Sequence, residues 1–187
     1  MVDIEDLKQY KHIHLVGIGG VSMSGIAEIL HSWGFIVTGS DTTQSEITDK
    51  LMKNHIPVKI GHDLENLEKS NLVIFSAAVK KDDPELVKAR ELNIPIVERG
   101  TFLGTLTKFF TDTICISGTH GKTTTTSMIA SCFLEANMDP SIQVGAYLKS
   151  IDGNYRVGNS NYFIIEACEY VESYLKLFPK VEVILNI

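Results

Sequence analysis

The stretch that decides the fold is Ile114-Cys115-Ile116-Ser117-Gly118-Thr119-His120-Gly121-Lys122-Thr123-Thr124-Thr125-Thr126. Its apolar opening reads as a short buried strand. Gly118 and Gly121 then bracket Thr119 and His120, and Lys122-Thr123 opens a helical stretch, Ser127 to Glu135. Glycine lets the backbone bend tightly, so that consecutive N–H groups point into one concavity. The new helix adds unpaired N–H groups and the positive end of its dipole. Lys122 supplies a mobile point charge for terminal phosphates, and the Thr123 hydroxyl suits Mg²⁺. Strand, phosphate loop and helix together imply a bound nucleoside triphosphate.

The general phosphate-loop pattern has four residues between its first glycine and the Gly-Lys pair; here two separate Gly118 from Gly121. A plain glycine turn with a solvated lysine competes with the phosphate-loop reading. The junction between strand and helix is where the chemistry needs Gly-Lys-Thr-Thr, which favours the loop. This shortened loop resembles the Gly-Thr-x-Gly-Lys-Thr-Thr loop of the Mur ligases, ATP-dependent enzymes that assemble the peptide of bacterial peptidoglycan. His120, at the x position, is similar to the branch acting on UDP-N-acetylmuramate or its peptides. The resemblance implies ATP against Gly118, Thr119, His120, Gly121, Lys122, Thr123 and Thr124, with Lys122 and His120 in catalytic roles.

Upstream, His12 to Val16 reads as a strand, followed by Gly17-Ile18-Gly19-Gly20-Val21-Ser22-Met23-Ser24-Gly25 and a helix from Ile26 to Trp33. A second strand, Phe35 to Thr38, ends at Gly39-Ser40-Asp41. Strand, glycine turn, helix, strand and acid open a Rossmann-type unit. Ser22 takes the place of the third glycine, so the dinucleotide fingerprint is incomplete, and a plain strand-to-helix turn fits equally. Alternation continues: helix Ser45–Asn54, strand Val58–Ile60, strand Leu72–Phe75, helix Asp83–Leu92 with Pro84 in its first turn, strand Pro95–Val97, helix Thr101–Phe109. This predicts a parallel sheet with ligands beyond the carboxyl ends of its strands.

The strand ends carry Gly17, Gly19, Gly20, Val21, Ser22, Met23 and Ser24, then Asp41, His62, Ser76 and Arg99. Together they resemble the UDP-sugar domain of the Mur ligase branch that takes UDP-N-acetylmuramate. The resemblance implies that the glycine turn holds the diphosphate and that Asp41 lies near the uridine. His62 reads either as a nucleotide contact or as a solvated loop histidine. Arg99 reads either as an anion contact or as a surface arginine. His12, His14, His31 and His55 read as structural or exposed.

Downstream, Ser141 to Val144 reads as a strand, Asp152-Gly153-Asn154 as a hairpin turn, and Tyr162 to Ile165 as a buried strand. Tyr170 to Phe178 reads as a short helix and Val181 to Ile187 as a last strand. Glu166 ends a strand beside the phosphate-loop strand, where nucleotide sites keep a magnesium ligand. Thr123 and Glu166 are therefore the metal candidates. The family's motif is usually Glu-Ala-Asp, whereas this chain has Glu166-Ala167-Cys168-Glu169.

The expected fold class is α/β: a Rossmann-like parallel-sheet domain over 1–110, then the first part of a phosphate-loop ATP-binding domain over 111–187. The net charge of −6 argues against nucleic acid. No apolar run is long enough to span a bilayer, and the charged start is not signal-like, so the expected location is cytoplasmic. Cys115 and Cys132 read as reduced core residues. The family resemblance implies ATP and Mg²⁺ as cofactors. It also implies UDP-N-acetylmuramate and L-alanine as substrates, joined through an acyl phosphate. The missing later strands predict a fragment inactive alone, with either disorder near the C-terminus or self-association through the Val181–Ile187 edge. The competing readings are a ligase for recycled murein peptides, a non-catalytic NAD-binding module and a switch GTPase. A guanine-reading Asn-Lys-x-Asp stretch is absent, which disfavours the last.

Overall fold

The computed structural model describes residues 7–67, 69–167 and 174–187. The chain divides into two compact units, Met1–Phe102 and Leu103–Ile187.

The first unit contains β1 (His12–Val16), α1 (Val21–Ser32), β2 (Ile36–Asp41), α2 (Glu46–Lys53), β3 (Val58–Ile60), β4 (Leu72–Phe75), α3 (Pro84–Glu91) and β5 (Ile96–Glu98). Its sheet runs β3-β2-β1-β4-β5, and every pairing is parallel. Central β1 is covered on both faces: Ile13, Leu15 and Val16 are fully buried, and His14 is buried beside them. Strand order reverses between β1 and β4, which opens a crevice at their carboxyl ends.

Of the element bounds that differ from the sequence reading, two bear on the glycine turn. The first helix begins at Val21, not Ile26, because Ser24 is a buried helical residue whose hydroxyl donates to the Val21 carbonyl at 2.9 Å. Strand β2 runs through to Asp41, with Gly39 and Ser40 opposite Leu15 and Val16. A Cβ on Gly39 would lie 2.5 Å from Ile18 Cδ1 and 2.7 Å from the Leu15 carbonyl oxygen. This glycine therefore belongs to close packing inside a strand rather than to a turn. Helix α2 is closed by a capping box between Ser45 and Thr48, and α3 by Asp83 with Pro84 behind it.

A buried polar network lies under the first sheet. Glu85 of α3 is fully buried. It accepts hydrogen bonds from Ser40 Oγ at 2.6 Å and Asn66 Nδ2 at 2.6 Å, and contacts His14 Nε2 at 3.2 Å. Burial would raise its carboxyl pKa. The hydrogen bonds from His14, Ser40 and Asn66 outweigh that and hold it below the ordinary value. His14 also meets Thr38 Oγ1 at 2.9 Å; its role is structural.

Helix α4 (Arg99–Thr107) runs through the division between the units. Its later residues pack in the second unit. The Thr107 carbonyl accepts from Thr113 Oγ1 at 3.0 Å, and the Phe110 ring lies 4.8 Å from that of Phe163.

The second unit continues with β6 (Asp112–Ser117), α5 (Lys122–Glu135), β7 (Ser141–Leu148), β8 (Gly153–Arg156), β9 (Tyr162–Glu166) and β10 (Val181–Ile184). Its sheet runs β10-β6-β9-β7-β8. All pairings are parallel except the β7–β8 hairpin. Strand β7 extends four residues past Val144, the expected end. Gly153 already pairs with Leu148, so the chain reverses before it, at 149–152, with Asp152 in the left-handed region. Of the predicted helix 170–178, residues 170–173 lie outside the described residues; 174–176 form a single 3-10 turn, and 177–178 are not helical. The last strand ends at Ile184, three residues short of the expectation. Cys115 is buried, and burial pushes its thiol pKa up to about 12. Cys132 is exposed on α5 and not in the core. Cys168 lies outside the described residues.

Candidate functional site

Each unit carries a glycine turn where a central strand feeds a helix. In the first, Gly17 has φ +80, and a Cβ there would meet Ser76 Cβ at 3.1 Å and Val79 Cγ2 at 3.3 Å. The turn is tied to β2: the Gly17 and Ile18 N–H groups donate to the Ser40 carbonyl, and the Gly19 N–H donates to Asp41 Oδ2 at 2.8 Å. Asp41 thus braces the turn it was expected to accompany. Gly17, Gly20, Asp41, His62 and Ser76 line one cleft of about 540 Å³ at the carboxyl ends of β1, β2 and β4. Val21, Ser22 and Met23 occupy the first turn of α1, where helix geometry leaves N–H groups without intrahelical partners. The Met23 and Ser24 side chains are buried in the core. Arg99 Nη1 donates to Ser22 Oγ at 3.2 Å, which brings a guanidinium beside that helix start. His62 Nδ1 is paired with Asp83, while its buried Nε2 has no hydrogen-bond partner among the described residues.

In the second unit, Gly118 and Gly121 have φ +140 and +83, conformations that L side chains rarely adopt. Gly121 caps α5, which begins at Lys122. Helix geometry leaves the first-turn N–H groups of Thr123 and Thr124 without intrahelical acceptors. Lys122 Nζ folds back on its own loop, donating to the Gly118 carbonyl and, at 3.4 Å, to that of Thr119. Thr123 Oγ1 donates to Glu166 Oε2 at 3.3 Å. The other carboxylate oxygen of Glu166 accepts from the Gly145 N–H at 2.9 Å. A Cβ on Gly145 would sit 2.7 Å from Glu166 Oε2, so a side chain at 145 would shift the carboxylate from this position.

This donor set fits Mg²⁺. A hydroxyl and a carboxylate converge at the mouth of the loop, and a hard cation completes its shell with phosphate oxygens and water. Among the described residues no group of three or more His, Cys, Asp or Glu could hold a metal.

Two positioning residues escaped the sequence reading. Gly145 is one. The other is Asn186, just past β10, whose side chain reaches into the loop. Its Oδ1 accepts from the Thr119 N–H at 2.9 Å, Thr119 Oγ1 at 2.5 Å and the His120 N–H at 3.4 Å. Its Nδ2 lies 3.1 Å from both the His120 carbonyl and His120 Nδ1. The available signal was a polar amide directly after an apolar strand.

Residues 12–111 match the model described as "Mur ligase family, catalytic domain"; the phosphate loop lies beyond that match. The UDP-N-acetylmuramate–L-alanine ligase of Acetivibrio thermocellus is 51% identical over 186 residues, covering 100% of this chain and 40% of its own. That of Clostridium botulinum strain Hall is 53% identical over 177 residues, 95% of this chain and 39% of its own. The crystal structure of UDP-N-acetylmuramate-alanine ligase from Thermotoga maritima superposes with TM-score 0.85 at 35% identity, over 94% of this chain and 41% of that one. The UDP-N-acetylmuramate:L-alanyl-gamma-D-glutamyl-meso-diaminopimelate ligase from Neisseria meningitides superposes with TM-score 0.85 at 27% identity, over 94% of this chain and 60% of that one. The chain therefore spans about 40% of the length of the curated relatives it matches. With a family model matched across more than half its residues, the chain belongs to the Mur ligase family.

Proposed function

We propose that this chain carries the UDP-sugar-binding unit and the phosphate-loop part of an ATP-dependent ligase that joins L-alanine to the lactyl carboxylate of UDP-N-acetylmuramate. The observation that carries the reading is the convergence of Lys122, Thr123 and Glu166 at one end of a parallel sheet, with the Glu166 carboxylate 3.3 Å from the Thr123 hydroxyl. The relatives above 50% identity bear that ligase's name, which supports the substrate pair. The likeness in fold extends equally to a murein-peptide ligase; the higher identity to the alanine ligases favours L-alanine.

The reaction transfers a phosphoryl group to a carboxylate, and the amine of L-alanine displaces phosphate from the resulting acyl phosphate. Two anions must be held together while charge moves between them. The first-turn N–H groups of α5 and the Lys122 ammonium neutralise the phosphates. Lys122 must leave the Gly118 carbonyl to do so, exchanging a neutral acceptor for a charged one. Thr123 and Glu166 would hold Mg²⁺, which supplies charge neutralisation on the phosphate oxygens. In the first unit, the Gly17–Gly20 turn and the α1 N-terminus receive the diphosphate of the UDP-sugar. Asp41 holds the turn open, Ser76 and His62 line its wall, and Arg99 adds positive charge near Ser22.

Among the described residues no helix is long and apolar enough to cross a membrane, in keeping with a cytoplasmic enzyme. The edge strand β10 exposes Val181 and Ile184, so the 187-residue chain alone is expected to self-associate there and to show no turnover. The test is phosphate release with ATP, UDP-N-acetylmuramate and either L-alanine or a tripeptide, using a full-length ligase that carries this chain. Release dependent on L-alanine supports the reading; release only with tripeptide transfers it to the peptide ligases.

A further inference from the structure

The side-chain amide of Asn186 reaches the phosphate loop through the register of the sheet. Val181 to Ile184 of β10 lie opposite Ile114 to Ser117 of β6, and the Leu185 N–H continues the ladder to the Ser117 carbonyl at 3.0 Å. One residue later the chain stands beside the turn that β6 enters. Close approach depends on Gly118, where a Cβ would meet Leu185 Cβ at 3.2 Å and Asn186 Oδ1 at 3.3 Å.

The amide can be oriented only one way. On one side it faces two backbone N–H groups and the Thr119 hydroxyl. On the other it faces the His120 carbonyl. Backbone N–H groups only donate and a carbonyl only accepts, so the oxygen takes the first side and the nitrogen the second. That nitrogen also lies 3.1 Å from His120 Nδ1. An amide N–H cannot accept, so Nδ1 must present its lone pair. A neutral imidazole with a lone pair on Nδ1 carries its proton on Nε2.

We propose that Asn186 is a positioning residue that fixes the tautomer of His120, so that the phosphate loop presents an Nε2–H donor. This rests on the phosphate-loop reading for its purpose, not for its geometry. A donor on Nε2 suits phosphate oxygens, whereas the other tautomer would turn a lone pair toward them. The same amide occupies the Thr119 and His120 backbone N–H groups, leaving the first turn of α5 to receive the anion.

Long-range proton–nitrogen NMR on the ¹⁵N-histidine-labelled 187-residue chain tests this, with the signal identified by its loss in His120→Gln. Wild type should show Nε2 protonated in roughly tenfold or greater excess. In Asn186→Asp the carboxylate has no proton to give, so the Nδ1 position should become protonated. In Asn186→Ala, the Thr119 amide should exchange about tenfold faster, with first-unit amides unchanged. Wild-type His120 protonated on Nδ1 would overturn the proposal without any variant, as would an Asn186→Asp chain with an unaltered His120 pattern. Adding a non-hydrolysable ATP analogue with Mg²⁺ separates the two ideas. If the Thr123 amide fails to respond while the tautomer follows Asn186, the phosphate-loop reading falls and the positioning role stands.

Discussion

The two glycine turns share one backbone design and differ in charge. Each follows a central parallel strand, each opens a helix, and each is braced by a polar side chain from the end of a neighbouring strand or just past it. The brace is Asp41 on Gly19 in the first unit and Asn186 on Thr119 and His120 in the second. The first turn, Gly17 to Gly20, has no lysine within it, although Lys80 and Asp41 line the cleft beside it. It offers backbone N–H groups and, at its edge, Arg99. The second adds Lys122, Thr123 and Glu166 at its mouth. Backbone N–H groups and a helix end suffice to hold a diphosphate at rest. Moving a phosphoryl group demands mobile positive charge and a metal.

The largest expected effect comes from removing that mobile charge. In a full-length ligase carrying this chain, Lys122→Ala should lower turnover about a thousandfold or more and leave UDP-N-acetylmuramate binding within error. Kinetics beside calorimetry checks this; an active variant would remove Lys122 from the chemistry. Glu166→Gln keeps shape but removes the negative charge that attracts Mg²⁺. Turnover should fall about tenfold to a hundredfold at low Mg²⁺ and recover partly as Mg²⁺ rises. A flat Mg²⁺ response would make Glu166 a structural carboxylate.

A stability change should separate the units the other way. Glu85→Ala strands His14, Ser40 and Asn66 around a buried site, at a cost of about 3 kcal/mol. Denaturation followed by amide exchange should find that loss in the first unit while the second keeps its protection. The smallest effect is acidic. Asp139 is held at about 2 by hydrogen bonds from Arg156 and Asn159. A depressed carboxyl contributes stability above its unfolded value of about 3.9 and loses it as pH falls toward 2. Arg156→Ala should therefore lower the stability of the second unit slightly near neutrality, and the difference from wild type should shrink as pH falls from about 3.9 toward 2.

What was legible in the sequence follows from where the partners sit along the chain. Gly118, Gly121, Lys122 and Thr123 are close neighbours in sequence, so spacing alone brought them to one loop. Glu166 was found because an apolar run ends on it. Asn186 was not, because its tie to the loop spans 67 residues and depends on β10 pairing with β6. Gly145 lies just past the predicted strand end at Val144, and nothing local marks the Glu166 carboxylate, 21 residues on, that fills the space a Cβ would take. The His14–Glu85 contact joins residues 71 apart, and no local pattern marks a buried carboxylate on an otherwise polar helix. The start of α1 was misjudged for a local reason. Ser22 and Ser24 read as turn residues, yet the Ser24 hydroxyl is satisfied by the backbone one turn earlier.

The central claim is that the two turns hold different anions, and parallel calorimetry on paired variants of the full-length ligase tests it most directly. Asp41→Ala should weaken UDP-N-acetylmuramate about tenfold and leave the Mg²⁺ complex of an ATP analogue unaffected, while Lys122→Ala should do the reverse. Competition between the two ligands for one site, or equal loss of both in either variant, would contradict the account.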